Sequence, residues 1–181
     1  MDLYFYFMSN PRLGPRDFHG ALEQEKLIYG SDITIVDSAQ DLVEYVAPWV
    51  RWRGGRIKRM KISAHGGFGA FHLGEDDIEM KEHGPTHGLI VLGLLAPWFA
   101  PGAEVEISAC QCAQPKGTYK DELLPKLASM WPGVSVKGYT GYAWTWKWWK
   151  FHGSGHGGDR IVCTGNQCLT NPPEHDPRWH R

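Results

Sequence analysis

The sequence lacks an apolar run long enough to cross a lipid bilayer. Its longest run, residues 89–100, is interrupted by Gly93 and Pro97 and falls well short of the ~20 residues that a spanning helix needs. The amino-terminal residues also lack the basic segment and the small-residue cleavage site of a secretory signal. We therefore expect a cytoplasmic protein without a membrane span, and its delivery elsewhere as an effector stays open.

The sequence has no excess of charge of either sign. Lys and Arg together number 19 and Asp and Glu number 20, so the net charge favours neither nucleic acid nor an anionic membrane as a partner. A Gly-rich loop followed by Lys and Ser or Thr is missing, which argues against nucleotide binding. The four cysteines are expected to be reduced thiols rather than a disulfide framework, because no export signal is present.

The sequence does contain alternating signals for strands and helices. Short apolar and β-branched runs predict strands at residues 3–8, 32–36, 57–64, 105–109 and 134–137. Apolar residues at helical spacing predict helices at residues 39–50, 89–99 and 123–128, the first of them behind a capping box of Ser38 and Asp41. This alternation, in a chain of one-domain length, favours an α/β fold with a mainly parallel central sheet.

The composition changes after Tyr142, where a Trp-, Gly- and His-rich stretch begins. We divide the chain into an α/β domain at residues 1–142 and a C-terminal extension at residues 143–181 that packs on the same domain. Three tryptophans of the extension alternate along a predicted strand: Trp144, Trp146 and Trp148. Packing is the first interpretation of this alternation, and a surface that binds a protein partner is the second.

Four further residues of the extension have the types and the approximate spacing of a structural zinc site: His152, His156, Cys163 and Cys168. The intervening glycines oppose a helix, so such a site would depend on an unusual loop. The alternative is that the two cysteines merely flank a turn at residues 164–166.

Two near-identical tetrapeptides close two of the predicted strands. Residues 62–65 read Ile-Ser-Ala-His and residues 107–110 read Ile-Ser-Ala-Cys. Parallel strands joined by a right-handed crossover end at the same edge of a sheet, so we expect His65 and Cys110 to meet there. A free thiol of pKa ~8.5 is only a few per cent thiolate at neutral pH, and a histidine within reach activates it. The pair therefore predicts nucleophilic catalysis by Cys110.

This order of strand, His-Gly, helix, strand and Ala-Cys resembles the caspase-like (clan CD) cysteine peptidases over residues 56–113. The segment at residues 69–74 is similar to the turn that follows His-Gly in CHAT-type members, and self-processing toxin protease domains look similar as well. The resemblance implies a three-layer caspase-like sandwich with helices on both faces of the sheet. It also implies Cys110 as nucleophile, His65 as general base and acid, Gly66 as an oxyanion contributor, and no cofactor.

The resemblance further implies a protein or peptide substrate. Specificity pockets in the family are lined by the loop after the first strand and by the segment beyond the strand that follows the nucleophile. The corresponding candidates here are Arg12, Tyr139 and Tyr142. Arg12 or Arg16 would favour an acidic residue before the cut and Asp37 a basic one, and both stay open. The alternative functions are a catalytically inactive protein-binding module on the same fold and a zinc-stabilised domain.

Overall fold

The computed structural model describes residues 1–10, 33–114, 122–148 and 151–172, and within residues 143–156 it describes the backbone. The strands are β1 (Asp2–Ser9), β2 (Ile33–Val36), β3 (Arg56–Ser63), β4 (Gly66–Gly67), β5 (Ala70–Leu73), β6 (Asp76–Lys81), β7 (Gly84–Pro85), β8 (Phe99–Ser108), β9 (Ser135–Tyr139), β10 (Ala143–Trp148), β11 (Phe151–His156), β12 (Arg160–Thr164) and β13 (Gln167–Thr170). The helices are α1 (Ala39–Arg51), α2 (His87–Leu92), α3 (Leu123–Met130) and a 3₁₀ helix (Gly93–Trp98).

A seven-stranded sheet forms the centre of the fold, in the order β13-β12-β9-β8-β3-β1-β2. The five strands from β9 to β2 are parallel, whereas β12 is antiparallel to β9 and β13 is antiparallel to β12. Along the chain, β2 is added on one side of β1, and β3, β8 and β9 are added in turn on the other side. In open α/β sheets, a crevice forms at the carboxyl ends of the strands where this direction changes, which here is between β1 and β3. The prediction of a mixed α/β fold with a mostly parallel sheet is confirmed.

Helix α1 begins at the predicted capping residues. The Ser38 hydroxyl accepts a hydrogen bond from the Asp41 amide at 3.0 Å, and the Asp41 carboxylate accepts one from the Asp37 amide at 3.0 Å. Leu42 and Val46 recur four residues apart and are fully buried in the core that the helix shares with the sheet. The apolar residues at helical spacing therefore stabilise this helix, because they bury one of its faces in the core.

The predicted helix at residues 89–99 is wrong in its extent. Helix α2 ends at Leu92, a 3₁₀ helix runs from Gly93 to Trp98, and Phe99 already belongs to β8. Gly93 is a poor helix former, and Pro97 lacks the amide that a continuing helix would need. The segment is also not buried all round, because Ile90 and Leu94 are 53% and 56% exposed.

The connection between β3 and β8 contains more than the predicted crossover helix. A four-stranded antiparallel sheet, in the order β4-β5-β6-β7, precedes α2. Its turn at Gly74 is fastened to the main sheet, since the Gly74 amide donates to the Ser9 hydroxyl at 2.8 Å and the Glu75 amide donates to the Asp37 carbonyl at 3.1 Å. This small sheet therefore lies at the carboxyl ends of β1 and β2.

The C-terminal extension contributes strands β12 and β13 to the main sheet and forms a separate hairpin of β10 and β11. Cys163 and Cys168 face each other across the β12–β13 hairpin and form a disulfide. The expectation of four reduced thiols is wrong for these two, because the hairpin register places them directly opposite each other. Among the described residues, no helix is long and apolar enough to cross a membrane.

Candidate active site

Strands β3 and β8 bring His65 and Cys110 to the same edge of the sheet. The two strands are parallel neighbours, and the last pair of their register is Ser63 with Ser108. The ladder continues for one more hydrogen bond, from the Ala64 amide to the Ser108 carbonyl at 3.2 Å. His65 and Cys110 each stand two residues beyond that last pair, so the imidazole and the thiol leave neighbouring strands at the same level.

Gly66 lies directly against the backbone of Cys110. A Cβ atom built on Gly66 would overlap the Cys110 carbonyl oxygen and would lie 2.9 Å from both the Cys110 nitrogen and the Ala109 Cβ. Real Cβ atoms do not approach backbone atoms so closely, so a glycine is needed for the chain after His65 to pack on the chain at Cys110. The residue after the histidine therefore has a steric reason to be glycine, besides the oxyanion role that the resemblance implies.

The turn after Cys110 is held in an unusual backbone conformation. Gln111 has φ of +53°, in the left-handed region that non-glycine residues rarely adopt. Its amide donates to the Gly141 carbonyl at 2.7 Å, and its carbonyl accepts from the Gly69 amide at 3.1 Å. The turn is thus tied on one side to the β4–β5 turn and on the other to the segment after β9. Gln111 was not predicted as a site residue, because a glutamine carries no sequence signal for this conformation.

The two free thiols near the sheet edge differ in environment. Cys110 is partly exposed, whereas Cys112 is buried and its Sγ contacts the Ile107 carbonyl oxygen at 3.6 Å. Burial raises the pKa of Cys112 to about 11 from the ordinary 9.0, so roughly one molecule in a thousand carries this thiolate at pH 8. Cys112 is therefore a packing residue, and Cys110 is the more exposed of the two free thiols.

His65 is held by the small antiparallel sheet. Its carbonyl accepts a hydrogen bond from the His72 amide at 2.9 Å, and Gly66 pairs with Phe71 in the following ladder. The side chain is half-buried, with its Nε2 atom enclosed by protein. The neighbouring Ala64 is buried, as expected of a small residue that lets the two strand ends pack closely.

The predicted substrate-binding residues divide into two groups. Tyr139 ends β9 and accepts a hydrogen bond from the Ala113 amide at 3.1 Å, and Tyr142 follows Gly141 and is largely exposed. The structure therefore brings both tyrosines to the turn that carries Cys110. Arg12 and Arg16 lie outside the described residues.

Asp37, the candidate for a basic substrate residue, follows β2 at the same edge of the sheet. It is exposed, and its Oδ1 accepts a hydrogen bond from the Asn10 side chain at 2.6 Å. Two strands, β1 and β3, separate β2 from the strand that carries Cys110.

The alternative zinc residues are split between two hairpins. His152 and His156 lie on β11, whereas Cys163 and Cys168 lie on β12 and β13 with their sulfurs bonded to each other. Sulfurs in a disulfide are not the thiolates that zinc requires. Within the part of the chain that the structure describes, no group of three or more His, Cys, Asp or Glu residues could hold a metal ion.

The three candidate tryptophans of the extension fall on β10. Their backbone partners on β11 are Gly155 for Trp144, Gly153 for Trp146 and Phe151 for Trp148. Residues two apart on a strand share one of its faces, so the alternation seen in the sequence is kept in the hairpin. A partner-binding role for this strand stays a prediction.

Taken together, the sheet edge holds a partly exposed thiol, a histidine from the next strand and a turn that Gln111 fastens to two other segments. The sequence matches no protein-family model, and a search of curated proteins finds no significant match. Function is therefore inferred from the residues at this edge of the sheet.

Proposed function

We propose that the protein is a cysteine endopeptidase of the caspase-like type, with Cys110 as nucleophile and His65 as general base and acid. The observation that carries this proposal is the backbone contact between Gly66 and Cys110, at the ends of two neighbouring parallel strands. That contact sets the histidine-bearing and thiol-bearing segments side by side. The substrate is a protein or a peptide, and no cofactor takes part.

In the proposed acylation, the Cys110 sulfur attacks the carbonyl carbon of the scissile peptide bond while His65 takes the thiol proton. The developing oxyanion is stabilised by a backbone amide, for which Gly66 is the candidate. The carbon–nitrogen bond then breaks, and the imidazolium of His65 gives its proton to the departing amine. The products of this half-reaction are a thioester that joins the upstream peptide to Cys110 and the released downstream peptide, which carries a new amino terminus.

In the proposed deacylation, His65 takes a proton from a water molecule that attacks the thioester carbon. The carbon–sulfur bond breaks, the proton returns from His65 to the sulfur, and the upstream peptide leaves with a new carboxyl group. One water is consumed for each peptide bond cut, and the thiol and the imidazole return to their starting states.

We further infer that the sheet is the centre of a three-layer caspase-like sandwich. The support is the order of the five parallel strands, β2-β1-β3-β8-β9, followed by the antiparallel β12 next to β9. Helices on only one face of this sheet in a crystal of the protein would contradict the three-layer arrangement. That outcome would leave the proposed roles of Cys110 and His65 unchanged, since these depend on β3 and β8 alone.

The peptidase proposal is tested by counting new protein amino termini in a cell lysate after incubation with the purified protein. We expect a restricted set of new termini with the wild type and a loss of at least about a hundredfold in Cys110→Ala and His65→Ala. Cys112→Ala is the matched control, because it removes a buried thiol next to the turn and should keep the cleavage. Circular dichroism checks that every variant is folded.

Alkylation by iodoacetamide gives a second readout that does not need a substrate. Cys110 should be alkylated faster than Cys112, and His65→Ala should slow the reaction of Cys110 at neutral pH. Two results together would contradict the peptidase proposal. The folded wild type would produce no new amino termini, and its Cys110 would be alkylated no faster than Cys110 of His65→Ala. That result would favour the protein-binding module on the same fold.

A further inference from the structure

Two exposed aromatic side chains flank the turn that carries Cys110. Phe68 is 57% exposed and precedes Gly69, whose amide donates to the Gln111 carbonyl at 3.1 Å. Tyr142 is 66% exposed and follows Gly141, whose carbonyl accepts from the Gln111 amide at 2.7 Å. Each aromatic residue is therefore one position away from a backbone hydrogen bond to Gln111, and the two bonds come from different segments of the chain.

The backbones that carry these rings are held firmly. Phe68 lies between β4 and β5, where Gly67 pairs with Ala70. The Tyr142 carbonyl accepts a hydrogen bond from the Gly157 amide at 2.8 Å, in addition to the bond that Gly141 makes to the turn. Aromatic side chains have few rotatable bonds, so rings on fixed backbones lose little conformational entropy when a ligand covers them.

The surroundings of the turn favour an apolar ligand over a charged one. The charged residues beside the segment after β9 are bonded elsewhere: the Asp159 carboxylate accepts a hydrogen bond from the Asn171 side chain at 2.8 Å, and the Arg160 guanidinium donates to the Pro172 carbonyl. Covering an exposed aromatic ring with an apolar group is favourable because it removes apolar surface from water, whereas a charged group would lose hydration there. The two exposed rings are thus suited to hold an aliphatic or aromatic side chain.

We propose that Phe68 and Tyr142 form an aromatic clamp that binds an apolar side chain next to the scissile bond. The clamp rests on the proposed peptidase activity of Cys110, and it names the substrate class as peptides with a large aliphatic or aromatic residue at the cut. Phe68 and Tyr142 are specificity residues in this scheme and take no part in the transfer of protons.

The test uses internally quenched peptides in which the residues on both sides of the cut are Leu or Phe in one set and Asp or Lys in the other. The wild type should cleave the apolar set with a kcat/KM at least about tenfold higher. Phe68→Ser and Tyr142→Ser should each raise KM for the apolar set about three- to tenfold and thereby reduce the preference for the apolar set over the charged set.

Trp52→Ser is the matched control, because Trp52 is 83% exposed and follows α1 near the amino end of β3, at the opposite edge of the sheet. This variant should keep the wild-type preference. Cleavage that shows no apolar preference, or a preference that both Ser variants retain, overturns the clamp alone. A wild type that cleaves no peptide in either set overturns the peptidase proposal and the clamp with it.

Discussion

At the scale of single residues, Gly66 determines how closely the histidine segment and the thiol segment approach. We predict that Gly66→Ala weakens both cleavage and alkylation of Cys110 by about tenfold or more, because the added Cβ would push the Cys110 backbone away. Steric displacement of this kind should also lower the free energy of unfolding by about 1–3 kcal/mol. Alkylation rates and urea unfolding measure the two effects.

Gly67→Ala is the control for this prediction. A Cβ built on Gly67 meets nothing within 4 Å, so its alanine variant should stay within about 0.5 kcal/mol of the wild type and should keep the reactivity of Cys110. Equal effects of the two substitutions would show that the contact between Gly66 and Cys110 does not position the thiol.

The buried Cys112 predicts a pH dependence of stability. Its pKa is raised from 9.0 to about 11 in the folded protein, so its contribution to stability is fully present below pH 9. That contribution is lost as the pH rises towards 11, because the unfolded chain releases the proton first. Between about pH 8 and pH 10.5, the free energy of unfolding of the wild type should fall by about 2 kcal/mol more than that of Cys112→Ala.

Urea unfolding of the two proteins at several pH values measures this difference, and the groups that both proteins share cancel from it. Parallel pH profiles of the wild type and Cys112→Ala would contradict the burial of this thiol.

His65 and Cys110 could be predicted from the sequence as residues at two strand ends, because both follow the same Ile-Ser-Ala pattern. Gln111 could not be predicted, since its left-handed conformation is imposed by hydrogen bonds to Gly69 and Gly141. These two glycines are distant in the sequence from Gln111, and a pattern of neighbouring residues does not encode such bonds.

At the scale of elements, the turn at Gly74 fastens the small antiparallel sheet to the loop after β2. Gly74 and Gly165 both have φ of +56°, but a Cβ on Gly74 would overlap the Asp37 carbonyl, whereas a Cβ on Gly165 would meet nothing within 4 Å. We predict that Gly165→Ala costs about 1–2 kcal/mol, the cost of the left-handed conformation alone. Gly74→Ala should cost about 3 kcal/mol or more, because the overlap adds to that cost.

Urea unfolding of the two alanine variants measures the difference, and their shared φ makes each the control for the other. Equal losses of stability would mean that the turn at Gly74 does not pack closely against the Asp37 carbonyl.

Periodicity predicted most of the elements because it reflects which face of a segment is buried. Helix α1 and the strands of the parallel sheet follow this rule, and the capping residues of α1 were identified from their spacing. The segment at residues 89–99 did not follow it, since Gly93 and Pro97 convert its second half into a 3₁₀ helix. Strands β6 and β7 were not predicted, because β6 is rich in charged residues and β7 consists of only Gly84 and Pro85.

At the scale of the whole molecule, the Cys163–Cys168 disulfide joins the outermost strand of the sheet to its neighbour. It closes a loop with a sequence separation of only 5 residues, so the chain-entropy relation predicts a contribution of about 2 kcal/mol. Reduction with dithiothreitol should therefore lower the free energy of unfolding by about that amount and leave the main sheet folded. Urea unfolding with and without the reductant measures the change.

The double variant Cys163→Ser with Cys168→Ser is the control for the disulfide, because it should be insensitive to the reductant. An equal response of the wild type and the double variant would show that the two sulfurs are not bonded in solution. Disulfides persist chiefly in oxidising compartments, so the outcome also bears on the expectation of a cytoplasmic protein.

The composition and the periodicity of the chain were enough to predict an α/β fold with a mostly parallel sheet. Periodicity shows locally which face of a segment is buried, and the handedness of crossovers follows from the twist of the backbone. They also placed an imidazole and a thiol at the ends of two strands. The tertiary structure alone decided which free thiol is buried, why the residue after His65 is glycine, and which two cysteines pair. These features depend on distances between segments that are far apart in the chain, and such distances exist only once the strands have taken their order in the sheet.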